Sequence, residues 1–201
     1  DNGGKLRILS VIDEYTRECI ALRAARKLTS GDLIEVMEEL LEQRGSPAHL
    51  RSDNGPEFIA ARSLQGWLKE REVKTIYIEP GSPWQNGHVE SFNGSLRDEC
   101  LDRELMLSVA EARVLIEDCR RHYNEERPHG GIGYRTPAEA RTEADALGSS
   151  RPTGSFHSIR SRFRYHVLHL HLYLSFPPST INYLGGSVSL IMAQRAMHDM
   201  I

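Results

Sequence analysis

Asp53 and Glu90 are the residues of this sequence best suited to metal-dependent chemistry. Asp53 follows a short strand-like run, Ala48–Ser52, and opens the turn Asp53-Asn54-Gly55-Pro56. An acid at the carboxyl end of a strand stands where α/β sheets usually gather ligand sites. Glu90 falls one turn into a helix that opens after Pro83-Trp84-Gln85-Asn86-Gly87. Singly, each has a plainer reading: aspartate starts turns, and acids are favoured near helix N-termini. As a pair they offer hard oxygen ligands from separate elements, which suits Mg²⁺. Two-metal phosphodiester chemistry needs such ligands around ions about 3.5–4 Å apart, one beside the attacking oxygen and one beside the leaving oxygen.

Those acids need a scaffold. Asp1-Asn2-Gly3-Gly4 reads as a turn and Leu6–Ile12 as a strand. A turn with a strand on one side only implies that the first strand of a hairpin is missing. A second strand is expected at Glu18–Arg23, after the polar bend Asp13–Arg17. Thr29 and Asp32 then form a capping box. Leu33, Ile34, Met37, Leu40 and Leu41 recur at helical spacing until Gly45 and Pro47 stop the helix. Ala48–Ser52 and Lys74–Ile78 read as strands, with Glu57–Glu70 helical between them. A loop at Glu79–Gln85 leads into a helix from Gly87 to about Glu99. The last helix starts at Ser108, with Glu111 completing a second capping box, and ends before Pro128. The pattern is α/β with a mixed sheet.

Composition narrows the class. Three scattered cysteines without a C-x-x-C argue against a disulfide framework or a structural zinc site and fit a reducing, cytosolic setting. No run is long and apolar enough for a bilayer, so no membrane partner is expected. The net charge of −3 is uneven. Residues 146–201 hold five arginines and one aspartate, and the remaining 20 basic and 27 acidic groups leave the body at −7. An acidic body is not the usual footprint of a nucleic-acid binder. From about Ala146 the chain has no Lys or Glu, and His166, His169 and His171 stand among Leu, Tyr and Ser without a clean period. The expected division is therefore a core at 1–145 and an irregular tail at 146–201, with the tail a candidate extension foreign to the core. The three histidines have no Cys or acidic partner in the tail spacing, so zinc is not expected.

Five ordered stretches resemble the retroviral-integrase-like catalytic core of bacterial insertion-sequence transposases, the type translated from a second reading frame. They are LRILSVIDEYTREC (6–19), RSDNGPEF (51–58), YIEPGSPWQNGHVESFNG (77–94), RHYNEERPH (121–129) and GYRTPAEA (133–140). The resemblance implies a ribonuclease-H-like fold, a mixed sheet flanked by helices. It also implies an Asp-Asp-Glu site that binds two Mg²⁺ or Mn²⁺ ions, with Asp53 as the second Asp and Glu90 as the Glu. The first Asp of such families lies on a strand before the turn at Asn2-Gly3, so the chain reads as truncated at its N-terminus. Asp13 matches a family position at the end of the second strand and is expected to be structural. Thirty-six residues separate Asp53 from Glu90, one more than the family's usual spacing. Gly130-Gly131-Ile132 also departs from the family's usual Ser-Ser-Leu.

The resemblance further implies DNA partners, both transposon ends and target, a homo-oligomer when full-length, and a bacterial, nucleoid-associated location. Asn86, Asn93 and Arg97 share the helical spacing of Glu90 and are candidate DNA contacts. The loop at 79–85, with Trp84, is a candidate substrate-ordering element. Arg120, Arg121, His122, Tyr123, Asn124 and Arg127 form a basic and aromatic cluster for DNA or a second subunit. Three readings stay open: an active strand-transfer core, an inactive remnant lacking the first metal-binding Asp, and another ribonuclease-H-like nuclease.

Overall fold

The computed structural model describes residues 6–52, 62–78, 87–104, 106, 108–149 and 167–175. Two strands, β1 (Leu6–Asp13) and β2 (Cys19–Ala25), form an antiparallel hairpin. Asp13 organises its turn: Oδ1 accepts from Tyr15 N (3.1 Å) and Oδ2 from the Thr16 hydroxyl (2.7 Å), inside a buried bend. Arg17 takes a left-handed φ of 64° there. Asp13 is thus the structural residue the sequence suggests.

Helix α1 (Ser30–Arg44) begins where expected, with the Thr29 hydroxyl accepting from Asp32 N and the Asp32 carboxylate accepting from Thr29 N. It buries Leu33, Val36, Met37 and Leu40. Strand β3 (His49–Ser52) follows, then α2 (Arg62–Glu70) and β4 (Lys74–Tyr77), which pairs with β3 in parallel. Helix α3 (Gly87–Leu96) runs into a π-helical turn, Arg97–Leu101, where one continuous α-helix is expected from the sequence. Helix α4 (Val109–Glu125) is capped by Ser108, whose hydroxyl accepts from Glu111 N.

A further helix, α5 (Pro137–Ser149), is absent from the elements expected. Its signal is present: Thr136 and Glu139 make a reciprocal capping box around Pro137, a residue suited to a first helical position. A one-turn 3-10 segment, Gly130–Ile132, precedes it and ends at Gly133 with φ 71°.

The tail supplies the main correction. Val167–Ser175 is a strand, β5, where irregular chain is expected, and the sheet order is β2-β1-β5-β3-β4. β5 is antiparallel to β1 and parallel to β3. Residues 168–174 alternate leucine with His or Tyr, a period of two that marks a strand once the neighbouring Val167 and Ser175 are set aside. Leu168 and Leu170 are fully buried beside Leu9, Val11 and Leu50, under α1 and α2. Burying two leucines is worth about 1.5–3 kcal/mol each. The opposite face packs Ile8, Ile12 and Cys19 against Val89, Phe92 and Leu96 of α3 and Ala112 and Ile116 of α4.

A second correction concerns cysteine. Cys100 and Cys119 are joined in a disulfide with Cα atoms 6.2 Å apart, and Cys19 is free and buried. They are 19 residues apart in sequence, but the π turn and α4 face one another across the α3 side of the core. Scattered spacing in sequence says nothing of that proximity.

Candidate functional site

Strand β3 carries the chain to Ser52, which is buried, and Asp53 is the next residue. Asp53, Asn86, Trp84 and the loop at 79–85 lie outside the described residues. The remaining candidates sit on α3. Val89, Phe92 and Leu96 fall at i, i+3 and i+7 and bury themselves against the sheet. That leaves Glu90 exposed in the first helical turn, with no ion pair among the described residues.

Asn93 behaves differently from Glu90. It is 8% exposed, and its Oδ1 has no hydrogen-bond partner among the described residues. Arg97 is half-buried at the start of the π turn and already engaged with the protein. The helix therefore presents Glu90 outward and turns Asn93 inward, so the two do not share one open face.

Beside the start of α3 lies a buried polar cluster that sequence reasoning missed. Glu14 Oε1 lies 3.0 Å from Arg51 Nη1 and accepts a hydrogen bond from His169 Nδ1 at 3.1 Å. His169 is fully buried, and its Nε2 has no partner among the described residues. Glu14 N also donates to Val167 O (3.1 Å). Two strands, β3 and β5, thus converge on one carboxylate carried by the turn after β1. Only the register, with Arg51 opposite His169 and Ile12 opposite His169, brings these residues together. Nearby His88 has its pKa held below the usual value by burial first and by the Arg17 charge second.

The cations of the α4 cluster have partners within the fold. Arg120 pairs with Glu117 and donates to Cys19 O, Arg121 pairs with Asp118, and Arg127 meets Glu99 at 2.9 Å. Asn124 is buried: its Oδ1 accepts from Cys19 N and its Nδ2 donates to Cys19 O, both at 2.9 Å. Tyr123 meets Phe92 and His129 edge-on, and burial pushes its phenol well above the usual range. Glu18, also missed, is buried and grips Arg44 through both oxygens (2.6 and 2.8 Å) while Oε1 accepts from Arg141 at 3.1 Å.

The donor set suits a hard cation in kind. Asp53 and Glu90 bring carboxylate oxygens, as Mg²⁺ and Mn²⁺ prefer. The strand between β1 and β3 adds none, since Val167–Ser175 contains no acid. Among the described residues no three His, Cys, Asp or Glu side chains are grouped to hold a metal, and His169 is spent on Glu14. No described helix is long and apolar enough to cross a membrane.

Two family models, both described as integrase core domain, match residues 1–83 and 71–137. An uncharacterized 39.2 kDa protein of insertion element IS476 from Xanthomonas euvesicatoria is 39% identical over 138 residues, 69% of this chain and 40% of that protein. An uncharacterized 31.7 kDa protein of insertion element IS407 from Burkholderia multivorans is 36% identical over 138 residues, covering 69% and 50%. The transposase InsD of insertion element IS2 from Escherichia coli is 27% identical over 147 residues, covering 69% and 48%. The chain thus spans about half the length, or less, of these relatives. Among solved structures, the catalytic core domain of BIV integrase superposes with a TM-score of 0.55 at 21% identity, covering 72% of this chain and 91% of that one. A chain of the simian T-cell lymphotropic virus intasome gives 0.52 at 20% identity, covering 66% and 47%. At that identity the likeness establishes the fold, which is ribonuclease-H-like.

Proposed function

Because the chain belongs to the integrase core domain family found in insertion-sequence transposases, we propose that it is the catalytic core of a DNA transposase, built for strand transfer at Asp53 and Glu90. The observation that carries the reading is the split in α3. One side is fixed in the core by Val89, Phe92 and Leu96, and Glu90 is exposed on the other, with no ion pair among the described residues. An exposed carboxylate held on a rigid element is suited to an external ligand.

In this reading Asp53 and Glu90 hold divalent cations, Mg²⁺ or Mn²⁺. When bound, such ions supply Lewis acidity at the attacking and leaving oxygens of a phosphodiester. The chain's own part is to hold two carboxylates at fixed positions and to orient DNA beside them. The attacking group is a transposon-end 3′ hydroxyl and the electrophile a target phosphodiester, so no covalent intermediate with the protein forms. A homo-oligomer and a bacterial, nucleoid-associated setting belong to the same reading.

The lack of an acid in β5 favours a second reading, an inactive remnant. Two carboxylates hold two metals poorly, and the acidic body predicts weak DNA binding. The deciding experiment measures Mn²⁺ binding and joining of labelled DNA ends by the 201-residue chain and by its Asp53→Asn and Glu90→Gln variants. The proposal expects metal binding that either substitution weakens at least tenfold, with the fold intact by circular dichroism. Metal binding unchanged in both variants removes the site. Metal binding without joining selects the remnant reading.

A further inference from the structure

We propose that Cys100 and Cys119 form a reversible thiol–disulfide switch that sets how firmly the helix carrying Glu90 is held, with small thiols and disulfides of the glutathione class as its reactants. The inference is independent of the catalytic reading, since thiol state and helix opening report it without metal or DNA. Helix α3 runs directly into the π turn Arg97–Leu101, and Cys100 lies in that turn. It stands ten residues beyond Glu90, about 15 Å along a helix. Cys119 lies within α4, and the bond joins the two elements with Cα atoms 6.2 Å apart. Two non-covalent contacts cross the same seam. One is the Glu99–Arg127 ion pair, whose side chains are each about one-third exposed, and such pairs are weak. The other is the edge-on contact of Phe92 with Tyr123. The disulfide is therefore the strong tie between the Glu90 helix and α4 at this seam.

The two sulfurs differ in access. Cys100 is 2% exposed, whereas Cys119 is only partly buried. Both line an open cavity of about 480 Å³ between the π turn and α4, with Leu96 and Tyr123 among its walls and the exposed Arg103 and His122 beside them. A small thiol can thus approach Cys119 while Cys100 stays covered. Disulfides that a thiol can reach are the labile, responsive ones. To close the switch, the Cys119 thiolate attacks one sulfur of oxidised glutathione and expels a glutathione thiolate, leaving a mixed disulfide. The Cys100 thiolate then attacks Cys119 Sγ and expels the second glutathione. Two protein thiols are oxidised, one glutathione disulfide is reduced to two thiols, and the two protons lost by the cysteines go to those thiolates. Opening runs the same steps backward, with reduced glutathione attacking Cys119. Cys19 takes no part: it is free and fully buried, and burial pushes its thiol up.

The test equilibrates the full chain in glutathione buffers running from reduced to oxidised, then alkylates free thiols and reads the masses. The Cys100–Cys119 bond should form in the oxidised buffer and open in the reduced one. A bond that survives the reduced buffer, or that never forms in the oxidised one, overturns the switch. Closing a loop of this size should raise the melting temperature by about 6–12 °C, and a rise below about 2 °C overturns the hold on the fold. The Cys119→Ser variant should melt at the reduced chain's temperature in both buffers. Hydrogen exchange across Gly87–Leu96 reads the helix itself and should be at least tenfold slower in the oxidised chain. Equal exchange in the two states would mean that the bond does not hold α3, and overturns the proposal. If Cys119→Ser fails to fold, the parent chain compared between the two buffers decides by the same exchange, with no change of sequence.

Discussion

β1 has two neighbours that reach it by opposite routes. β2 arrives through a bend of a few residues, ordered by Asp13, Thr16 and a left-handed Arg17. β5 arrives from more than 150 residues away. The hairpin side is secured by local hydrogen bonds and by Asn124, which bonds both backbone groups of Cys19. The tail side is secured by buried leucines and by the charge at Glu14. Local pairing needs little closure entropy, while distant pairing must offset more of it with burial and specific polar contacts.

That contrast can be broken by substitution. The largest effect is expected at Glu14→Ala, which leaves Arg51 and His169 without their shared carboxylate in largely buried positions. Removing one partner of such a set costs about 3–5 kcal/mol. Urea unfolding should show it, and a cost below about 1 kcal/mol would mean that the cluster does not hold the tail strand. Leu170→Ala comes next, at about 2–5 kcal/mol for a fully buried leucine. A loss under about half a kcal/mol would mark β5 as peripheral.

The hairpin side should respond less. Asn124→Ala removes the acceptor of the buried Cys19 N–H, at about 1–3 kcal/mol, while the Cys19 carbonyl keeps Arg120. If its thermal shift exceeds that of Glu14→Ala, the ranking of the two sides is reversed. The smallest effect belongs to Arg23→Ala. Its ion pairs with Glu35 and Glu39 are exposed, and the change should lie within about 1 kcal/mol. A larger loss would show that β2 depends on its outer charges.

The candidate site divides along the same line. Glu90 is legible in the sequence because helical periodicity alone puts Val89, Phe92 and Leu96 inward and leaves Glu90 out. Asn93 is not: spacing from Glu90 suggests a shared surface, yet the sheet takes Asn93 into the core. The α4 cations read as a basic patch because sequence shows charges without their partners. Folding then sets Arg127 against Glu99 of the π turn and Arg120 against the Cys19 carbonyl, alongside the nearby Glu117. Glu18 stands in the sequence only as the start of an expected strand until α1 and α5 bring Arg44 and Arg141 to it.

The sequence by itself determined the two strands on either side of the bend at 13–17, the capped helices α1 and α4, the strand-helix-strand run around α2, and the family. Each of these rests on periodicity, turn chemistry or side chains within a few residues of one another. The tertiary structure alone decided the centre of the sheet, the Glu14–Arg51–His169 cluster and the Cys100–Cys119 link. These join segments whose separation along the chain carries no signal, and hydrogen-bond register and burial select them only once the two faces of β1 have been covered.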